Sequence, residues 1–315
     1  SIYYYIKLKK IERKKQLTDK TKKNILMIVT RSDEERWIFY YLSLNIYRSL
    51  TSQFNVDLII REKFKPKLLE KIDLSKYDII YTDQENGEIQ KILELKKMPF
   101  FGSGSFGSDL AFNKIKAKKV ADENSIKTPD WQMPGNNQTT AEINFPIISK
   151  QICGGSSIGI QIINNEKELK KYLKKQKNKR ENFFEEFLNG DIYTIFLFEN
   201  QDIKMPALKK YISQPSNYKK KYFNQKYKIT YKNFLPAEKL IFTESEKLFK
   251  LFHLRDLARF DWVVYKNQPY FLEVNTMPGT WPGDFFEKSA QIIGLNYQTM
   301  IVSLFTKAIE KNNNK

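Results

Sequence analysis

The chain has 315 residues, 41% hydrophobic, which is enough for two or three packed domains and too apolar for a disordered chain. No apolar run approaches the ~18 residues of a membrane-spanning helix, and the single cysteine, Cys153, excludes an internal disulfide, so a cytoplasmic protein without membrane insertion is expected. One histidine, His253, argues against histidine-based triads and zinc sites, while a net charge of +18 points to anionic partners such as nucleotide phosphates.

Residues 1–23 read as a basic leader, a helix or an arm; the stretch lacks a signal-peptide cleavage site, and the opening Ser1 leaves room for residues upstream. "NILMIV" (Asn24–Val29) is a short apolar run, read as a buried parallel strand. A helical pattern covers about Asp33 to Leu50, "VDLII" and "YDIIYT" are further strands, and "GEIQKILELKKM" is an amphipathic helix. The alternation predicts an open, mostly parallel α/β sheet over residues 24–113. A second unit, 114–190, opens with a helix in "NKIKAKKVADENS" and continues as strand, glycine turn, strand, lysine-rich helix and the strand "ENFFEEFL", a small α+β domain. Its lysine-rich helix reads as a solvated face, so a dedicated nucleic-acid role is disfavoured. The third unit, 191–315, holds the strand "YTIFLF", a Tyr/Lys-rich loop, a helix around Glu244–His253, a hairpin and a final helix.

The hairpin carries the chemistry. In "ARFDWVVYKNQPYFLEVN" (Ala258–Asn275) a turn centred on Asn267 sets Asp261 opposite Glu273 and Arg259 opposite Asn275, all on one face. The other face takes Phe260, Trp262, Val264, Tyr270, Leu272 and Val274. Two carboxylates ~5 Å apart repel by roughly 3 kcal/mol at an effective dielectric of ~20. Arg259 offsets part of that; a divalent cation would offset more, and Asp261, Glu273 and the Asn275 carbonyl are the hard oxygen donors Mg²⁺ takes, with Mn²⁺ as an alternative. The competing reading is a structural Arg–Asp–Glu network, which has no need of Asn275. In "KQICGGSSIG" (Lys150–Gly159) the backbone of Gly154 and Gly155 with the hydroxyls of Ser156 and Ser157 suits an anion nest, and Lys150 closes the preceding strand. Gly-Gly alone is also an ordinary hairpin turn.

Together, "RFDWVV", "YFLEVNTMPG", "FPIISKQICGGSSIG", "FFEEFLNGDIYT", "GEIQKILELKKMPFFGSGS" and "NKIKAKKVA" resemble the ATP-grasp superfamily and, within it, the D-alanine–D-alanine ligase family. The resemblance runs from about Asn24 to the C-terminal helix and implies three domains: an N-terminal α/β sheet, a central lid and a C-terminal catalytic domain. It implies Asp261, Glu273 and Asn275 as Mg²⁺ ligands, Lys114 and Lys150 on the ATP phosphates, and Gly155, Ser156 and Ser157 in the lid. It places Glu185, Glu186, Phe187 and Leu188 in the linker that holds adenine and ribose. Arg259 and the Gly279 N–H match the groups that steady the developing oxyanion, Glu35 matches the glutamate that binds the first substrate's ammonium, and Lys221 and Tyr222 match the ω-loop. The implied reaction joins two amino acids through an acyl phosphate, and a homodimer is expected. The alternatives are a ligase taking another acceptor and a degenerate domain that binds nucleotide or nucleic acid.

Three positions depart from the family pattern. Thr30-Arg31 replace a Gly-Gly after the first strand, and Ile192 replaces a Glu in the linker. Asp284-Phe285 stand where a Ser-Leu pair binds the acceptor's carboxylate; an aspartate there would repel it. Either the acceptor is neutral or cationic at that end, or a loop shift turns Asp284 to solvent.

Overall fold

Three β-sheets run through the computed structural model, which describes residues 13–14, 19–30, 36–61, 66–134, 142–154, 160–175, 181–199, 208–210, 229–230, 236–280 and 282–313. The first contains β1 (Arg13–Lys14), β2 (Asn24–Thr30), β3 (Asn55–Arg61) and β4 (Ile79–Thr82), in the order β1–β3–β2–β4. The last three are parallel, and β1 pairs antiparallel on the β3 edge. Helix α1 (Arg36–Leu50) joins β2 to β3, and α2 (Glu88–Leu95) follows β4. β2 is buried on both faces, the reason its sequence is a continuous apolar run. Ile25, Met27 and Val29 face one core, and Leu26 and Ile28 face another that includes Ile89 and Leu93 of α2.

Helices α3 (Ser105–Phe112) and α4 (Lys114–Glu123) lead to the second sheet. Asn113 caps α4, its side chain accepting from the N–H groups of Ile115 and Lys116, each at 3.1 Å. The sheet is antiparallel, with β5 (Trp131–Gln132), β6 (Ile147–Gln151), β7 (Gln161–Ile163) and β8 (Asn182–Glu186) in the order β5–β8–β6–β7. One face is covered by α5 (Glu166–Lys175), whose Leu169, Tyr172 and Leu173 pack on Ile147, Ile163 and Phe184. Strand alternation leaves Ile148, Lys150, Phe183 and Glu185 on the other face.

The third sheet is antiparallel throughout, in the order β11–β10–β9–β12–β13. Its strands are β9 (Asp191–Phe198), β10 (Leu208–Lys210), β11 (Ile229–Thr230), β12 (Leu257–Tyr265) and β13 (Gln268–Asn275). Helix α6 (Pro236–Leu251) precedes β12, and α7 (Phe285–Ile292) and α8 (Tyr297–Asn313) follow β13. α6 starts earlier than its sequence pattern indicated, with Pro236 at the first helical position, where a missing N–H costs nothing. The final helical stretch is two helices, separated at Gly294, whose φ is +81°. Ala117 and Ala121 of α4 share a core with Ile195, Phe260, Trp262 and Phe271 of this sheet, so α4 spans from the second sheet to the third. Among the described residues no helix is long and apolar enough to cross a membrane.

The hairpin differs from its reading in one instructive way. Its turn is the two-residue Lys266-Asn267, both with positive φ (+49° and +63°), and Tyr265 pairs with Gln268. An unbroken ladder from that turn would set Asp261 opposite Leu272 and send Glu273 to the buried face. Instead Leu272 bulges, and the pairs Asp261–Glu273 and Arg259–Asn275 form as expected. On the turn side of the bulge the faces swap. Phe271, not Tyr270 or Leu272, enters the core opposite Trp262, the ring centroids 5.5 Å apart.

Candidate active site

Asp261 is buried midway along β12, between Glu273 on β13 and Thr194 on β9. The Thr194 hydroxyl donates to Asp261 Oδ1 at 2.6 Å, and Arg259 Nη2 donates to Oδ2 at 3.0 Å. Both contacts fix the carboxylate. Asn275 Oδ1 accepts the Met277 N–H at 3.0 Å, which holds the side-chain carbonyl at the end of the strand. Among the described residues no three His, Cys, Asp or Glu side chains cluster as a metal site. The donor set is instead two facing carboxylates and a carboxamide. Hard oxygen donors of this kind fit Mg²⁺ far better than a soft metal.

Lys114 joins this hairpin to the glycine turn. From the first position of α4 its Nζ lies 3.5 Å from Glu273 Oε2 and also donates to the Gly154 carbonyl. The backbone is tied at the same place, with Lys114 N–H bonded to the Ile152 carbonyl at 2.9 Å and Asn113 bridging to Cys153. Gly154 has a φ of +113°, a conformation that suits glycine and turns the chain at this point. Cys153 is exposed, and burial of its neighbourhood raises its thiol pKa, which does not favour a nucleophile.

A second charged centre lies on the open face of the second sheet. Glu185 stands diagonally across the β6–β8 ladder from Lys150, and their side chains meet in an ion pair. The other Glu185 oxygen contacts Lys118 Nζ at 2.6 Å. Lys118 is completely buried, and Glu185 is 1% exposed. Burial pushes the Glu185 carboxyl up, but Lys118 and Lys150 outweigh it and hold it below the ordinary carboxylate range. Lys118 was not among the residues singled out from sequence. It sits one turn along α4 from Lys114, so the same helix stripe serves both acidic centres.

The other expected positions fall as follows. Glu186 and Phe187 spend their N–H groups on the carbonyls of Asp130 and Pro146, each at 2.8 Å. Leu188 is buried, and Gly190 passes so close to β12 that an added Cβ would lie 2.3 Å from the Val264 carbonyl oxygen. Ile192 is half-buried on β9 opposite Val263, and its neighbour Asp191 is exposed. Gly279 lies half-buried in the loop after β13, whose far end is held by the Tyr297 hydroxyl on the Thr280 carbonyl at 2.6 Å. Asp284 occupies the N-cap of α7 without a side-chain bond to that helix's N–H groups, and Phe285 is buried in the core. Arg31, Glu35, Gly155, Ser156, Ser157, Lys221 and Tyr222 lie outside the described residues.

At the carboxyl ends of β2 and β4, Asp83 accepts the Thr30 N–H at 2.9 Å, and burial pushes its carboxyl up to about 6. Among the described residues that carboxylate has only neutral donors around it, in contrast to Glu185.

Comparison with known proteins bears on this arrangement. The family model for the C-terminus of D-Ala–D-Ala ligases matches residues 119–306. A D-alanine–D-alanine ligase of Carboxydothermus hydrogenoformans is 28% identical over 291 residues, 84% of this chain and 91% of the relative. One of Aquifex aeolicus is 30% identical over 234 residues, 70% of this chain and 78% of the relative. The solved structure of a D-alanine–D-alanine ligase from Bacillus anthracis complexed with ATP superposes with a TM-score of 0.76 at 21% identity, covering 93% of this chain and 99% of that one.

Proposed function

Because this chain belongs to the D-alanine–D-alanine ligase family of ATP-grasp enzymes, we propose that its facing carboxylates and bridging lysines bind Mg²⁺ and ATP for the joining of two small amino acids. The chain is an ATP-dependent carboxylate–amine ligase. The carboxylate oxygen of the first amino acid attacks the γ-phosphorus, ADP leaves, and an acyl phosphate forms. The amine of the second attacks the acyl carbon, loses a proton, and phosphate departs from the tetrahedral intermediate. The family resemblance implies no side-chain nucleophile, and the one cysteine is placed unfavourably for one.

The observation that carries this reading is Lys114, which touches both the glycine turn and Glu273 and so marks where a phosphate and a cation-binding carboxylate meet. Asp261, Glu273 and Asn275 would hold the metal, which supplies neutralisation of phosphate charge when bound. Lys114 and Lys150 orient the phosphates, the linker from Glu185 to Leu188 receives adenine and ribose, and Arg259 with the Gly279 N–H faces the oxyanion. Gly155, Ser156 and Ser157 close over the phosphates, Glu35 takes the first ammonium, and Lys221 and Tyr222 complete the site. Residues 24–113, 114–190 and 191–315 are the three domains in this reading, with a homodimer in the cytoplasm.

The Asp284 carboxylate at the acceptor end favours an amine substrate that is neutral or cationic there rather than plain D-alanine. A screen of amino-acid pairs for ADP release, with products identified by mass spectrometry, tests both levels. Release with no pair overturns the ligase reading. Turnover of ATP plus D-alanine alone to D-Ala-D-Ala at enzyme-like rates overturns the altered acceptor.

A further inference from the structure

Lys118 has no exposed surface, and its Nζ meets Glu185 Oε2 at 2.6 Å. A lysine this deep is costly to keep charged, and a hydrophobic residue of its shape would fill the same space at lower cost. Its retention therefore asks what the charge does. Glu185 answers one carboxylate to two ammonium groups, Lys118 inside and Lys150 at the rim, where Lys150 keeps 15% of its side-chain surface exposed. Among these three groups positive charge is in excess by one; burial and Lys150 work against the Lys118 ammonium while Glu185 and Asp122 favour it, and the group that can present the surplus outward is Lys150. Without Lys118, Glu185 and Lys150 would form a neutral pair, with a vacant carboxylate oxygen drawing the amine inward and away from an incoming anion.

We propose that Lys118 is a positioning residue for nucleotide: by engaging one oxygen of Glu185 it leaves Lys150 only partly neutralised and held at the rim of the second sheet, charged toward a phosphate. The inference rests on reading Lys150 as a phosphate ligand, and it extends that reading to a buried residue that touches no substrate. The placement on α4 fits, because Lys114, one turn earlier, reaches the other side of the same phosphate region through Gly154.

The test is a set of full-length variants assayed for Mg·ADP affinity by calorimetry and for the KM of ATP and kcat. Lys118→Met should weaken Mg·ADP binding and raise the KM of ATP by about tenfold while kcat changes by no more than about threefold, the size of one charge-assisted contact. Lys118→Arg keeps a cation on the inner oxygen of Glu185 and should bind within about threefold of the parent. Unchanged affinity in Lys118→Met overturns the proposal, as does a folded Lys118→Arg that binds as weakly as Lys118→Met. If Lys118→Met does not fold, Lys118→Gln, which keeps a polar donor without the charge, carries the test with the same expected tenfold loss. Lys150→Met separates the two levels: a loss of affinity there upholds the phosphate reading whatever Lys118 does, and none removes that reading and the proposal together.

Discussion

The two acidic centres of this molecule are built with different charge balance. In the third sheet, Asp261 and Glu273 face each other and are met by Arg259 and Lys114, two negative groups against two positive ones. In the second sheet, Glu185 alone is met by Lys118 and Lys150, one against two. In the proposed function the first centre offers carboxylate oxygens to a cation, and the second offers an ammonium to an anion. A metal nucleotide carries both charges, and helix α4 contributes a lysine to each side. The difference also separates function from stability. Glu273 is a third exposed, so neutralising it costs the fold little, whereas Glu185 and Lys118 are sealed in and hold each other.

Four experiments would break or sharpen that contrast, the largest effect first. Glu273→Gln should lower Mg²⁺-dependent ADP formation by at least about a thousandfold with a melting temperature no lower than the parent's; turnover at the parental rate would remove the metal assignment. Glu185→Leu leaves Lys118 buried without its carboxylate and should cost about 3–5 kcal/mol by denaturant titration, more than any single change at the hairpin. A loss under 1 kcal/mol would mean the second centre does not hold its sheet together.

Asp83 offers a control for burial with no cationic partner among the described residues. Its folded carboxyl titrates near 6, above the ordinary 3.8, so the native state binds the proton more tightly than the unfolded chain. Its contribution to stability is therefore present below about pH 4 and is lost as pH rises through about 6, by up to about 3 kcal/mol. Asp83→Asn should remove that slope, raising stability at pH 8 and leaving it unchanged at pH 4; urea midpoints at the two values decide it. Glu185 has the opposite sign: its folded carboxyl lies below the ordinary range, so its stabilisation is present above the unfolded value and fades as pH falls. The smallest effect belongs to Thr194→Val, which removes the hydroxyl from Asp261, costs about 1 kcal/mol, and should raise the Mg²⁺ requirement by about tenfold. An unchanged Mg²⁺ titration would show that Asp261 needs no help from β9.

Much of this was legible from the chain alone. The parallel sheet followed from continuous apolar runs such as Ile25–Val29, because a strand covered on both faces needs no alternation. The pairing of Asp261 with Glu273 was also read, yet by two departures that compensate: the turn sits half a residue earlier than placed, and the Leu272 bulge restores the offset. Neither leaves a mark in composition, and the visible consequence is that Phe271 rather than Leu272 meets Trp262. Thr194 had a signal, one hydroxyl inside "YTIFLF", but its partner depends on the β9–β12 register, which sequence does not give. Lys118 had none. In "NKIKAKK" it is one lysine among four, and a lysine-rich helix reads as solvated.

The sequence by itself determined which residue types are available: two carboxylates and a carboxamide on one hairpin, a glycine turn preceded by a lysine, and strands ordered as in a known ligase family. These are local, because period, turn chemistry and spacing act over a few residues. Which lysine is buried and which carboxylate it neutralises was decided only by tertiary structure. Charge balance is set by what three sheets and one helix bring within a few ångströms, and a chain of 54 basic residues does not say which of them will be shut away from water.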